Sequence, residues 1–305
     1  MHSFLLILRK LGIAILTVFM VVTITFFLMR AVPGNVYSGE RVLNETAIKN
    51  VQERYHLNDP LSVQYLYWLK SVVTLDFGTS MFSDGRSVND IIKTHAPISM
   101  FIGGVTFILS FGVGIILGVR LALTRKEKYS ELITFLVILG TTLPNFVVAT
   151  LLQYYFSVRL RIFPVFSTSS YIGFILPVLA LSIYPIAFIT RTVYYSMIDV
   201  LQKEYIVAAK ARGIPQNRII FIHALKNAIL PLFSYLGPFL ANVLIGSFAI
   251  ETIFSIPGLG RYYINSISNR DYTVIMGLTA FFSILLVCIN LAVDMLNAAI
   301  DPRIE

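Results

Sequence analysis

The chain has 305 residues, 56% of them hydrophobic and 13% charged, with a formal net charge of +8 at pH 7. Soluble domains carry about a quarter charged residues, so this composition excludes a soluble globular domain and identifies an all-α, polytopic membrane protein. The basic excess sits in short loops beside apolar runs rather than on an aromatic-studded soluble face, which sets nucleic acid aside as a partner. The single cysteine, Cys288, lies inside an apolar run, excludes an internal disulfide framework and reads as a small buried residue.

Leu11 to Met29 is a run of nineteen residues without charge, long enough to cross a hydrocarbon core at about 1.5 Å per residue. A signal peptide would have an apolar region of about 7–15 residues and a small-residue cleavage site, and Arg30-Ala31-Val32-Pro33 supplies none. A retained helix is expected, with Arg9 and Lys10 holding the N-terminus in the cytoplasm. From Ala31 to Pro97 the character turns polar and aromatic with nearly balanced charge. Short amphipathic helices are expected over Val51 to Leu57 and over Leu61 to Val73, where Leu61, Tyr65, Leu69 and Val72 recur at helical spacing. This external segment reads either as a cap over the outer ends of the helices or as an appendage with no part in their function. His56 and His95 lack partners at metal-ligand spacing and read as surface residues.

A second apolar run, Ile98 to Leu123, carries Ser110, Gly114 and Gly118 as a stripe of small residues for close helix packing, and ends in the basic turn Arg125-Lys126-Glu127-Lys128. The third, Leu132 to Phe156, contains Pro144-Asn145; a proline there bends the helix, which serves either to line a pathway or to shape the bundle. After a short external loop with Arg159 and Arg161, the fourth run spans Ile172 to Val193, with Pro177, Pro185 and, near its end, Arg191. The fifth run, Ile229 to Phe254, holds Asn242, Gly246 and Ser247 and reaches the outer surface at Glu251. The chain must then turn, because Ile256-Pro257-Gly258-Leu259-Gly260 cannot continue a helix. The sixth run, Thr273 to Ala299, includes Asn290, Asp294 and Asn297; Asp294 fits either an interhelical hydrogen bond or solvation at the interface. Six crossings return the C-terminus to the cytoplasm.

Between the fourth and fifth runs lies the stretch around which the chain is organised, Glu204 to Pro231. Good helix formers run from Glu204 to Arg212, Gly213 stands where a left-handed cap is wanted, and Pro215 is placed in the first turn of a second helix expected to continue through Asn227. Glu204, Ala208 and Ala211 share one face of the first helix, and the small Ala208–Ala209 pair permits close approach of another backbone. Lys203, Lys210, Arg212, Arg218 and Lys226 against Asp199 and Glu204 make it the strongest cytoplasmic marker in the sequence. It is either an interfacial helix among lipid headgroups or a docking element for a soluble partner.

Ala208-Ala209-x-x-x-Gly213 followed by Ile229-Leu230-Pro231 resembles the "EAA" loop of permease subunits in bacterial ABC importers, whose coupling helix enters a groove of the ATP-hydrolysing subunit. Val207 stands where the motif's glutamate is usual, with Glu204 one turn earlier, and the interval from Gly213 to the Ile-Leu-Pro ending is longer than usual. Both departures are similar to the oligopeptide, dipeptide and nickel branch. So are Glu251-Thr252-Ile253-Phe254-Ser255-Ile256-Pro257-Gly258-Leu259-Gly260 and the ending Asp301-Pro302-Arg303, and the likeness extends over the whole chain, most closely to the B-type subunit of oligopeptide permeases. The resemblance implies a type I permease fold. It also implies a second, similar permease subunit, two ATP-binding cassette ATPases carrying ATP and Mg, and an extracytoplasmic solute-binding protein. Glu204, Ala208, Ala209, Arg212, Gly213, Pro215 and Arg218 become candidates for the ATPase-coupling loop, and Glu251, Pro257, Gly258 and Gly260 for an outer gate. Asn145, Asn242 and Asn290 are candidate pathway residues with equally good packing explanations.

No Gly-x-x-x-x-Gly-Lys-Ser/Thr loop, nucleophile elbow, His-Glu-x-x-His or Cys-x-x-Cys occurs, so energy for uphill transport must arrive from another polypeptide and this chain is expected to bind no cofactor. The expectation is a non-catalytic permease subunit for oligopeptides in the bacterial cytoplasmic membrane, with dipeptides or nickel chelates as alternative cargo. An ATP-independent channel or an intramembrane enzyme is the reading from another class; the first needs no docking loop and the second needs converging acid, base or metal groups.

Overall fold

The computed structural model describes residues 2–32, 53, 57–82, 85–124, 127–165 and 171–300, and its described elements are helices, with one isolated bridge between Thr79 and Ser87. The short helix expected over 51–57 falls almost wholly outside these residues; His56, Arg125, Lys126 and the Asp301-Pro302-Arg303 ending lie outside them too. The chain divides into two compact units, one of residues 1–99 and 257–291, the other of 100–256 and 292–304.

Helix α1, His2–Ala31, begins well before the charge-free core that starts at Leu11, since Arg9 and Lys10 are good helix formers and carry the helix out of the apolar zone. Helix α2, Leu61–Val73, lies along it: Trp68 donates its indole N–H to the carbonyl of Val22 at 3.3 Å, and the hydroxyls of Tyr65 and Thr23 are 2.7 Å apart. Helix α3 is Val88–Leu123, starting ten residues before Ile98 with Pro97 inside it. Proline there costs one backbone hydrogen bond, and in a membrane neighbouring groups make this tolerable.

The third apolar run is not one helix. Helix α4, Glu127–Thr142, and helix α5, Asn145–Leu152, meet at an angle of 106°. Pro144 adopts an extended ψ of 135° as the cap of α5 and disfavours helical backbone at Leu143, so the chain breaks rather than bends. The tail of α5 continues as π-helix over Gln153–Arg159. A 3-10 turn, Tyr171–Phe174, leads into helix α6, Ile175–Leu201, which continues eight residues past the expected end at Val193. Arg191 therefore lies inside the helix, not at its close. The fifth run is likewise split, into α9, Leu230–Ile245, and α10, Phe248–Ile253, because Gly246 takes φ +94° and the Ser247 hydroxyl accepts the Ile250 N–H to cap α10. An amphipathic helix α11, Leu259–Ser268, precedes the last long helix α12, Tyr272–Ile300. Among the described residues, five stretches are long and apolar enough to span a membrane, and the α4–α5 pair makes up to six.

The second unit is held by the small-residue stripe. A Cβ on Gly114 would lie 2.7 Å from Ile189 Cγ2, and one on Gly118 would lie 2.8 Å from the carbonyl of Thr190, so α3 and α6 touch backbone to side chain. Gly140 meets Ala187 in the same way and seats α4 on α6. Close backbone approach replaces the hydrophobic drive that lipid removes. In the first unit, Gly277 of α12 admits Phe77 and Val88. Cys288, expected to be buried, is exposed.

Candidate functional site

Helix α7, Glu204–Ala211, begins at Lys203, whose backbone is extended, and places Glu204 in its first turn where the helix dipole favours a carboxylate. It ends in a Schellman turn: the Gly213 N–H reaches the Lys210 carbonyl at 3.0 Å and the Ile214 N–H the Ala209 carbonyl at 3.3 Å, with Gly213 at φ +73°. Pro215 is not in the first turn of the next helix but caps it, with ψ 139°. That helix, α8, runs over 216–228 as Gln216–Arg218, a π-helical Ile219–Ala224 and Leu225–Ala228. The π-turn adds a residue to one turn and shifts the register after it; along it Ile219 and Ile220 are buried while Phe221 and Ile222 are 61% and 56% exposed. Sequence periodicity does not register that shift.

The elbow is not free-standing. Ile206 and Ala209 of α7 and Ile219, Ile220, Ala224 and Ala228 of α8 join Val119 of α3, Ile189, Val193 and Met197 of α6 and Leu232 of α9 in one buried apolar cluster. Each fully buried isoleucine here stabilises the docking by about 1.5–3 kcal/mol where it leaves water. Asn227 Nδ2 donates to the Tyr205 hydroxyl at 2.8 Å and to the His223 carbonyl at 3.0 Å, tying the two arms across the corner. This tie has no signature in the sequence, because the two residues meet only once the corner is closed.

Of the residues expected in the coupling loop, Glu204, Ala208, Arg212, Gly213, Pro215 and Arg218 are exposed, and Ala209 is buried against the bundle. The outward surface also carries Tyr205, Val207, Phe221 and Ile222, all exposed, ringed by exposed Lys203, Lys210 and Lys226. Apolar anchors inside a charged rim are the anatomy of a protein-docking face.

The other expected groups are dispersed. Asn145 is half-buried and Asn242 exposed in the second unit, whereas Asn290 is half-buried in the first. Glu251 is 2% exposed in the second unit, and its carbonyl accepts the Ile256 N–H at 2.8 Å. Pro257, Gly258 and Gly260 belong to the first unit, so the division between units falls inside the expected outer gate. There the Leu259 N–H donates to the buried Ser99 hydroxyl at 3.0 Å, and His95 Nδ1–H donates to the Pro257 carbonyl at 2.7 Å. His95 is thus not an isolated surface residue: its ring lies 4.9 Å from that of Tyr262, and Arg86 donates to its Nε2 at 3.2 Å. Between the two hydrogen bonds the Nδ1–H tautomer is selected. Asn297 supplies an interhelical bond, from Nδ2 to the Phe233 carbonyl at 3.1 Å.

Sequence reasoning missed Asp271, which is 4% exposed. Its carboxylate accepts the Ser80 hydroxyl, the N–H groups of Met81 and Phe82, and the N–H of Val274 in the first turn of α12. An acid just before an apolar run signals a helix cap; its partners 189 to 191 residues away in sequence give no such signal.

The chain matches two family descriptions: Binding-protein-dependent transport system inner membrane component over residues 114–305, and the N-terminal part of the same membrane component over residues 1–102. Curated relatives include the dipeptide transport system permease protein DppB of Bacillus subtilis (strain 168), 42% identical over 95% of this chain and 94% of the relative. The oligopeptide transport system permease protein OppB of Salmonella typhimurium is 40% identical over 98% of each. Among solved structures, a chain of the inward-facing MetNI methionine ABC transporter superposes with a TM-score of 0.58 at 18% identity, covering 69% of this chain and 96% of that one. That likeness carries the fold.

Proposed function

We propose, because this chain belongs to the family of binding-protein-dependent transport system inner membrane components, that it is the permease subunit of an ABC importer that moves peptides through the cytoplasmic membrane. The observation that carries the cargo is near-full-length identity of 42% and 40% to permeases named for dipeptides and oligopeptides. A multi-pass chain with a basic elbow between its apolar stretches fits this role, with the elbow and both termini on the cytoplasmic side.

The exposed face of α7 and α8 receives an ATPase subunit, and ATP with Mg is bound and hydrolysed there, not on this chain. Closure of two such subunits pushes the elbow as one body. Its buried face shares a dry cluster with α3, α6 and α9, so displacement passes to those helices without slack, and the bundle exchanges inward-facing for outward-facing states. A second, similar permease completes the path, and an extracytoplasmic solute-binding protein delivers the peptide.

The test is uptake of labelled di- to pentapeptides into vesicles holding the complex. Peptide accumulation above the external concentration, dependent on ATP enclosed on the cytoplasmic side of right-side-out vesicles and on the binding protein outside, is expected. Equilibration without ATP would identify a channel instead.

A further inference from the structure

The first unit contains a cavity of about 450 Å³ walled by α1, α2, residues 76–81 with Ser87, and the start of α12. Below it, between α1, α2 and the later part of α12, runs a second hollow of about 340 Å³ whose lining is apolar throughout, from Leu11 and Val22 to Val72 and Leu291. Neither hollow belongs to the elbow or to the expected gate.

The upper cavity holds three polar groups whose chemistry is complementary to one kind of head group. Gln64 is 7% exposed, and both its amide protons are committed, to the carbonyls of Leu57 at 3.1 Å and Asp59 at 2.7 Å. Its Oε1 is buried and, among the described residues, meets no donor. A buried carbonyl oxygen without a donor is a standing demand for an N–H or O–H from outside the chain. Arg30 lines the same cavity with its guanidinium over the Phe26 ring, 5.5 Å from the centroid, presenting a planar fork suited to a phosphodiester. Asp76, also in the wall, spends Oδ1 on the Gly78 N–H at 3.3 Å and offers its negative charge to a cation.

We infer that the two hollows together form a binding site for one phospholipid with a phosphoethanolamine head: phosphate on Arg30, ammonium between Asp76 and Gln64 Oε1, and an acyl chain in the apolar groove. The dimensions agree. Along α1 the lining runs from Arg30 to Leu11, about 28 Å at 1.5 Å per residue, so the two hollows together offer more than the half of a 30 Å hydrocarbon core that one leaflet occupies. Phe26 lines the upper hollow and Val22, one turn earlier on the same face of α1, lines the lower, so the two hollows follow one another along that helix. The site is independent of the cargo and of the ATPase reading.

Native mass spectrometry of the purified transporter, titrated with phosphatidylethanolamine, phosphatidylglycerol and phosphatidylcholine of matched chains, tests this. One phosphatidylethanolamine is expected per copy of this chain, held about tenfold more tightly than phosphatidylcholine, whose trimethylammonium has no N–H. Gln64→Leu and Arg30→Gln should each weaken it about tenfold, and Asp76→Asn should erase the preference for phosphatidylethanolamine over phosphatidylglycerol. Gln64→Leu also gives up the bonds to Leu57 and Asp59, whereas Arg30→Gln leaves them in place; the thermal midpoint of the arginine variant should not fall, which separates lost binding from lost folding. Equal retention of the three lipids, unchanged binding by either variant, displacement by a zwitterionic tripeptide, or a photocrosslink from Met29 to a protein subunit instead of lipid would each overturn the proposal.

Discussion

The corner at Gly213 and the corners at Leu75 and Arg270 close the same backbone turn by different means. At each, one N–H reaches back three residues and the next reaches back five: Gly213 to Lys210 and Ile214 to Ala209, Leu75 to Val72 and Asp76 to Ser71, Arg270 to Ile267 and Asp271 to Ser266. The residue in the left-handed region is glycine at φ +73° in the elbow, but a leucine at +54° and an arginine at +53° in the first unit. Glycine adopts this backbone without steric cost, whereas a side chain there costs about 1 kcal/mol. The two costly corners are imposed from outside. Asn89 donates to the Leu75 carbonyl at 2.7 Å and accepts from Phe77 N–H at 3.1 Å, and the buried Asp271 gathers Ser80, Met81 and Phe82 beside Arg270. One corner is encoded locally; the others exist because distant segments hold them.

If that contrast is right, the largest loss comes from the imposed corner. Asp271→Ala strands several donors around a buried site and should cost about 3–4 kcal/mol, seen as a lower thermal midpoint in detergent, with Asp271→Asn recovering part of it. Next, Gly118→Ala drives a Cβ to 2.7 Å from Val193 Cβ and 2.8 Å from the Thr190 carbonyl. It should lower stability by about 2–3 kcal/mol and loosen the floor on which the elbow rests, measured by the same melt and by faster hydrogen exchange in α7 and α8.

The elbow's own corner should be milder in stability and sharper in function. Gly213→Val places a β-branched residue at positive φ for about 1–2 kcal/mol and should raise the ATP hydrolysed per peptide imported. Gly213→Ala meets nothing within 4 Å among the described residues, so only strain of about 1 kcal/mol remains and coupling should be largely kept. Unchanged stoichiometry in the valine variant would mean that the elbow is not the lever. The smallest effect is expected from Leu75→Gly: relief of about 1 kcal/mol of strain is offset by about the same loss to the entropy of the unfolded chain, leaving the melt within about 0.5 kcal/mol of the parent.

Much of the elbow was legible because its signals are short-range. Gly213, Pro215 and the alanine-rich turn before them act within a few residues, and the shared face of Glu204, Ala208 and Ala211, all exposed, comes from helical spacing. The π-turn at Ile219–Ala224 was not; its Ile219, Ile220 and Ala224 lie in one buried cluster with Val119 and Met197, which are far from it in the sequence. Nor was the fracture at Pro144 legible as a 106° break, because proline in a membrane helix is compatible with anything from a gentle bend to a full stop. The half-buried His95 and the Asp271 hub escaped for one reason: each is defined by partners more than 150 residues away.

From its order of apolar runs, basic loops and glycines, this amino-acid chain determined that it would be a helical membrane protein with an elbow turned at Gly213. Those features depend on hydropathy and on backbone preference, which each residue carries with it. Where the helices break, which face of α8 stays outside, and how a buried carboxylate binds loop 80–82 to the cap of the final helix were decided by tertiary structure. Close packing and the pairing of buried polar groups are properties of neighbours in space, and a linear order of residues does not state who those neighbours will be.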